Sequence, residues 1–326
     1  MEYRTLGNSG LQVSRLALGS YHVYDRMTIE EIAELLSTAR AAGINWFDVG
    51  HYTSGAHPEE KVSVTDIRFG WAREMAGIKR EDYVHTQKLW YGGPRPSFKA
   101  QFAESLPRAQ VDYADLAIYN ADTAYYFNTP VDMKDIVTQM AGLIECGWLR
   151  HWGINQAFPA DVRAAIEFAD KEGLPKPVMM QLPYNAFTRD MVEDPALLEI
   201  TQEYNLVYQA SNVLAVGVLV GRPIEAATRP TGYPSMDRSA AALAGQFAEL
   251  AQSVGATPAQ LAIAFALSHP QVATALFGAS KLSQLQDNLG ALDLLARLGA
   301  DGVRDLLKDI PQDPNQVRVD RMEGPA

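Results

Sequence analysis

The sequence predicts an α/β chain folded as one closed (β/α)8 TIM barrel, with an N-terminal β-hairpin and extra C-terminal helices. Two observations carry the prediction. Short apolar runs of strand length alternate with longer segments of helical spacing, and eight such runs are present. Alternation of this kind implies parallel strands joined by right-handed crossovers, and eight is the number that closes such a barrel. The count by itself leaves an open doubly wound sheet as the alternative. A length of 326 residues fits one domain, because α/β barrels run to about 250 residues and beyond without dividing.

Residues 1–14 read as a hairpin, Tyr3–Leu6 and Leu11–Ser14, around Gly7-Asn8-Ser9-Gly10. The barrel strands are expected at Arg15–Leu18, Asn45–Asp48, Tyr83–Thr86, Asp115–Tyr119, Arg150–Ile154, Val178–Gln181, Leu206–Ala210 and Ala273–Phe277. Helical spacing marks Ile29–Ala41, Phe98–Ala109, Met133–Glu145, Ala160–Lys171, Pro195–Glu203 and Leu282–Leu294. Thr28 followed by Glu31 is a capping box for the first of these. Asn128-Thr129-Pro130 is expected to open the third, with proline in its first turn. Thr257-Pro258 does the same for Ala259–Ser268. Residues 215–257 combine a Gly/Pro/Arg-rich loop with a helix at Ala240–Gln252, and so long a loop in a barrel points to function. The polar tail Pro311–Ala326 is expected to fray or drape. The chain therefore reads as a single domain over residues 1–326, with no linker, low-complexity tract or further repeat.

Hydrophobic residues make up 47% and charged residues 21%, an ordinary globular balance. The net charge of −11 repels nucleic acid and anionic membrane surfaces, so neither is an expected partner. An anionic ligand would need a local basic pocket. Cys146 is the only cysteine, which suits a reducing cytoplasm. The opening MEYRTLGNSGLQVS lacks the apolar core of a signal peptide, and no apolar run approaches the ~20 residues of a spanning helix. A cytoplasmic location is the expectation, and a homo-oligomer is compatible with it.

Barrel enzymes work at the C-terminal ends of their strands. The residues expected there are Gly19-Ser20-Tyr21, Asp48 with His51-Tyr52, Lys88, Tyr119-Asn120, Asn155-Gln156, Gln181, Ser211-Asn212 and Gly278-Ala279-Ser280-Lys281. Asp, Lys and Tyr gathered at strand ends suggest one device. A buried ammonium beside a phenol favours phenolate, and a carboxylate holds the ammonium charged and in place. The phenol then serves as a general acid or base nearer neutral pH than its free value of about 10. Taken singly, each residue has a plainer reading: Asp48 as a helix cap, Lys88 as a solvated strand end, Tyr52 as a packed loop aromatic. His51 and His57 have no third ligand at regular spacing, so no metal is expected. Trp90-Tyr91 and Tyr125-Tyr126-Phe127 are expected at the same rim, either as packing or as an apolar wall for an aromatic or bulky substrate. Sequence motifs of P-loop, Rossmann, nucleophile-elbow and CxxC type are absent.

Several segments resemble the aldo-keto reductases. YRTLGNSGLQVSRLALG is similar to the family's opening, and INWFDVGHYTSG to its Phe-Asp-Thr-Ala-x-x-Tyr-x-x-Gly segment. DYADLAIYN matches a DYxDLxxxH segment, with Asn120 in the last place. GWLRHWGINQ, VMMQLPYN and LFGASKLSQLQDNLGAL resemble later segments, so the likeness runs over residues 2–295. Asn120 and LFGASK point to the group containing the voltage-gated potassium channel β-subunits.

The resemblance implies an NADP(H)-dependent oxidoreductase that interconverts a small-molecule carbonyl and alcohol by hydride transfer. Asp48, Tyr52, Lys88 and Asn120 would form the catalytic tetrad, with Tyr52 the proton donor and Lys88 tuning it. Asn155, Gln156 and Gln181 would hold the nicotinamide carboxamide. Gly19, Ser20, Tyr21, Asp48, Ser211, Leu214, Gly217 and Gly278 would line the cofactor groove. Ser280 and Lys281 would meet an adenosine 2′-phosphate at a helix start, which favours NADPH over NADH. Gln284, Asp287 and Asn288 would reach the adenosine from one helical face. His51, Trp90, Tyr119 and Tyr125 would face the substrate. The sequence departs from the family pattern in four places. The Asp48–Tyr52 spacing is one residue shorter, Asn120 replaces a histidine, Asn155-Gln156 replaces a Ser-Asn pair, and Ser211 stands where an aromatic stacks on the nicotinamide. These departures keep two alternatives open: a low-turnover nucleotide-binding sensor or interaction subunit, and a non-reductive, isomerase- or lyase-like use of the same site.

Overall fold

A computed structural model describes residues 1–52, 62–120, 129–155, 158–223 and 239–312. In chain order the elements are β1 (Tyr3–Thr5), β2 (Gln12–Ser14), β3 (Leu16–Gly19), α1 (Ile29–Ala41), β4 (Trp46–Asp48), α2 (Thr65–Met75), β5 (Val84–Trp90), α3 (Phe98–Arg108), β6 (Ala114–Asn120), α4 (Met133–Glu145), β7 (Leu149–Asn155), α5 (Pro159–Glu172), β8 (Met179–Pro183), α6 (Pro195–Tyr204), β9 (Val207–Ser211), α7 (Ser239–Ser253), α8 (Pro258–Ser268), β10 (Val272–Gly278) and α9 (Leu282–Leu306). Strands β3 to β10 pair in parallel, each with its neighbour, and β10 returns to β3 to close the barrel. Closure settles the choice against an open sheet and leaves no exposed strand edge in the barrel.

Each expected strand is present, displaced by a residue or two, and β5, β6 and β7 extend farther toward the site than expected. Helix α1 starts at the Thr28 capping box and α8 at a capping box between Thr257 and Gln260 with Pro258 in its first turn. The opening of α4 differs from expectation. Asp132 caps it by accepting from Lys134 N and Asp135 N, so Pro130 lies before the helix rather than in its first turn. An aspartate carboxylate bonding two otherwise unpaired N–H groups stabilises a helix start that proline alone cannot satisfy. Helix α2 was not among the runs named from spacing. It carries Trp71 and Met75 exposed, which blurs its apolar stripe.

The hairpin seals the N-terminal end of the barrel. Leu6 and Val13 are buried with Ala17, Trp46, Leu116 and Met179. Gly7 has φ +51°, and a Cβ there would stand 2.3 Å from the Val178 carbonyl oxygen, so only glycine lets the turn lie this close. With that end closed by apolar packing, the polar side chains gather at the opposite mouth. No single helix among the described residues is long and apolar enough to cross a membrane.

Candidate active site

Asp48 ends β4 and its side chain is buried. Lys88 lies within β5, two residues before its end, and is buried too. The Lys88 ammonium donates to Asp48 Oδ2 at 2.8 Å and to Gln181 Oε1 at 2.7 Å, while Gln181 Nε2 donates to the same Asp48 oxygen at 2.8 Å. Three strands thus contribute to one closed triangle of charge-assisted hydrogen bonds. Gln181 Nε2 also reaches Gln209 Oε1. Burial pushes the Lys88 ammonium below its usual range, and the Asp48 carboxylate opposes that shift. A buried ion pair of this kind is weak evidence of stability in itself, because desolvation offsets much of its Coulomb energy. Its value here is placement, a fixed positive charge at the barrel mouth.

Tyr52 follows β4 by four residues and is buried. Its ring folds back over Gly50: a Cβ at that position would lie 2.5 Å from Tyr52 Cζ and 2.8 Å from its hydroxyl oxygen. Tyr21 meets Tyr52 edge to face at 4.8 Å between ring centroids, and Trp90 does so at 6.4 Å. The expected aromatic rim is therefore partly built, with Tyr91 joined to Tyr119 at 6.3 Å. Asn120 ends β6, is buried, and accepts at its backbone oxygen from Tyr91 N. His51 is buried beside Tyr52 in sequence, with Nε2 3.7 Å from Glu104 Oε1, and burial lowers its pKa.

The residues expected to line a cofactor groove lie on neighbouring strand ends. Gly19 pairs with Asp48 and with Gly278, and Asn155 pairs with Gln181. Ser20 is buried, and its hydroxyl has no hydrogen-bond partner among the described residues; the same holds for Asp48 Oδ1. Ser211 ends β9, and Leu214 and Gly217 lie in the turn that follows. That turn is strained: Ala215 has φ +48° and Val216 φ +57°, a conformation that disfavours β-branched residues. Backbone strain of this kind costs on the order of 1–3 kcal/mol and clusters at ligand clamps. Lys281 stands at the position before α9, where its side chain makes no capping hydrogen bond, and is exposed, with no ion-pair partner among the described residues. Ser280 bonds Gln284 through both its backbone N–H and its hydroxyl. Asn288 is buried. Asp287 accepts from Thr257 Oγ1 at 3.0 Å and from Gln260 Nε2 at 2.9 Å, so its carboxylate joins α9 to the start of α8.

Gln156, Tyr125, Tyr126 and His57 lie outside the described residues. Three contributors escaped sequence reasoning. Gln209 extends the Gln181 network across the barrel, Gly50 makes room for the Tyr52 ring, and Val216 carries the strain after β9. The glycine two residues before Tyr52 was a usable signal; the other two have none at the level of spacing.

A closed barrel with this polar triangle at its mouth agrees with the comparison to known families, in which the aldo/keto reductase family matches residues 15–305. The chain belongs to the aldo/keto reductase family. Among similar proteins, one from Arabidopsis thaliana called a probable voltage-gated potassium channel subunit beta is 28% identical, over 98% of this chain and 100% of its own. A protein of the same name from Oryza sativa subsp. japonica is 29% identical, over 91% of this chain and 93% of its own. The aldo/keto reductase match covers all eight barrel strands and ends within α9, so the strand ends that carry Asp48, Lys88 and Gln181 lie within it.

Proposed function

We propose that this aldo/keto reductase is an NADP(H)-dependent oxidoreductase that interconverts a carbonyl and an alcohol, with Tyr52 as the proton donor. The observation that carries the reading is the buried Lys88–Asp48 pair, bridged by Gln181, on the strand ends from which Tyr52 springs. Bound NADPH would supply hydride. The chain's own residues then have separate tasks. Lys88 holds positive charge where a phenolate on Tyr52 would be stabilised, and Asp48 keeps Lys88 charged against its burial. Tyr21 and Trp90 flank the Tyr52 ring and keep water from it.

The residues present fit a dinucleotide. The Ser20 hydroxyl and Asp48 Oδ1, unpartnered among the described residues, are buried polar atoms of the type that accept ribose hydroxyls, because orphaned groups of this kind are costly without a ligand or water. Lys281 offers an uncommitted cation at the start of α9, suited to a 2′-phosphate. In the same reading Ser280 and Gln284 exchange their mutual bond for contacts with the adenosine end.

The test is Tyr52→Phe. Turnover of aldehydes is expected to fall by at least about 100-fold, while NADPH binding, followed by intrinsic fluorescence, stays within a few fold. Activity retained within a few fold would remove Tyr52 from its role. A second reading, a nucleotide-binding subunit of low turnover, draws on the relatives called potassium channel β subunits and on Ser211 at the end of β9. It predicts tight NADPH binding without appreciable reduction of any carbonyl in a broad panel.

A further inference from the structure

Tyr52 is held from beyond its own strand. Ser63, fully buried at the approach to α2, donates its backbone N–H to the Tyr52 carbonyl oxygen at 3.1 Å. Ser63 is fixed in turn by one carboxylate. Its hydroxyl donates to Asp25 Oδ2 at 2.7 Å, and the N–H of the next residue, Val64, donates to Asp25 Oδ1 at 2.9 Å. Asp25 lies in a short 3-10 turn, Tyr24–Arg26, that follows β3. The same Oδ2 stands 3.3 Å from His22 Nδ1. The His22 ring lies 6.1 Å from the Tyr52 ring at an angle of 30°, and Tyr21 meets both rings edge to face. One carboxylate is therefore bonded both to the residue that fixes the Tyr52 backbone and to a residue that borders its ring.

We propose that Asp25 is a positioning residue for Tyr52, a role that rests on the reductase reading above. It acts on the tyrosine through Ser63 and His22. Three physical points lead to it. Both carboxylate oxygens are engaged, and hydrogen bonds to an ionised acceptor are about twice as strong as neutral ones. His22 has φ +49°, a left-handed conformation that non-glycine residues seldom adopt. Backbone of this kind persists where its surroundings over-determine it, and here Asp25 and the two tyrosine rings are those surroundings. The plainer role for Asp25 is a borrowed helix cap, because Val64 opens α2 with no capping side chain of its own. A cap needs only the bond to Val64 N. It does not need the Ser63 hydroxyl or the His22 ring, and those two lead to Tyr52. Helix α2 has other moorings: Arg68 Nη1 donates to Met27 O at 2.6 Å and Thr65 Oγ1 to Ser20 O at 2.8 Å. Loss of the Asp25 carboxylate therefore leaves the helix docked and loosens the tyrosine end.

The experiment joins a spectroscopic readout to kinetics on the full chain. Fluorotyrosine is placed at position 52, and separately at position 184 as a control, since Tyr184 is tied instead to Glu193 and Arg304. Fluorine NMR spectra are compared between the native chain, Asp25→Asn and Asp25→Ala. Asp25→Ala is expected to shift or broaden the signal from position 52 and to leave that from position 184 in place. Reduction of 4-nitrobenzaldehyde at saturating NADPH is expected to lose about 10- to 100-fold in kcat, with NADPH affinity within a few fold of native. Asp25→Asn keeps one acceptor oxygen without the charge and falls between; it also carries the test if Asp25→Ala does not fold. An unmoved signal at position 52 overturns the proposal whatever the kinetics show. So do shifts at both positions, which make Asp25 a general structural prop, and so does a moved signal with kcat unchanged in a native protein that reduces the aldehyde. If the native protein reduces no aldehyde, a shift confined to position 52 still supports the Asp25 clamp on the ring, and it is the reductase reading that fails.

Discussion

At the scale of the residue, Gly50 decides whether Tyr52 reaches its place. The Tyr52 ring occupies the space a Cβ at position 50 would take, at 2.5 Å from Cζ. A Gly50→Ala change forces the ring outward, and a displacement of about 1 Å at a reacting group costs on the order of 100-fold in rate. Aldehyde reduction by Gly50→Ala is expected to fall by about 10- to 100-fold with NADPH affinity nearly unchanged; single-turnover kinetics beside a nucleotide titration checks both. The short spacing between Asp48 and Tyr52 and the close approach at Gly50 belong together. With four residues from strand to tyrosine, the ring lies back across the backbone of its own loop.

At the scale of the element, two helix starts do different work. Thr257 caps α8 by accepting from Gln260 N, and its hydroxyl also donates to Asp287 on α9. Thr257→Ala removes a cap and leaves Asp287 one partner fewer. A loss of about 1–2 kcal/mol in stability is expected, measured as a lower urea midpoint at constant slope. Helix α9 begins at Lys281, which is exposed and bonded to no described carboxylate. Lys281→Ala is expected to weaken NADPH by about 10-fold, the loss of one charge-assisted contact, and to leave NADH nearly as it was. Equal affinity of the native protein for both nucleotides would remove the 2′-phosphate assignment. The same α9 bends at Gly299, where φ is +73°, and its last turns carry Arg304 back to Glu193 and Tyr184 in the segment after β8. Spacing ended this helix at Leu294; the structure continues it to Leu306, because a kink at glycine interrupts the periodic stripe without ending the packing.

At the scale of the whole molecule, burial of neutral histidines ties stability to pH. His85 is fully buried and its pKa is pushed well below 6.5, first by burial and then by Arg80 and Arg73. Burial lowers His269 to about 4, and His51 and His151 also fall below their usual value. In the unfolded chain all four take up protons near pH 6.5. The unfolded state therefore binds more protons as pH falls below about 6.5, and stability falls with it. For His269 the loss continues to about pH 4, where the folded protein protonates too. Each group contributes at most about 1.4 kcal/mol per pH unit inside its window. Urea unfolding at pH 7 and pH 5 is expected to show a clear loss at the lower pH, and His85→Gln should show a shallower dependence. A native stability unchanged across that interval would mean that the unfolded chain shields these rings as well.

The alternation of strand and helix, the parallel order and most element positions were written in the sequence, because periodicity, caps and turn residues act over a few neighbours. Thr28 with Glu31, Thr257 with Pro258, and Gly7 in the hairpin are local devices, legible without the fold. Asp48 and Lys88 could be singled out as strand-end residues, but on spacing alone they had plainer readings. Only the closed barrel brought β4, β5 and β8 together so that Asp48, Lys88 and Gln181 share hydrogen bonds across 40, 93 and 133 residues of chain. Closure also chose the barrel over an open sheet. It put Gln209 behind Gln181 and left the Ser20 hydroxyl and Asp48 Oδ1 buried without partners among the described residues, while the packing of α8 on α9 committed Asp287 to Thr257. The division has one physical cause. Backbone preference and apolar spacing are properties of a segment, whereas desolvation and hydrogen bonding of a buried polar atom depend on which distant segments surround it.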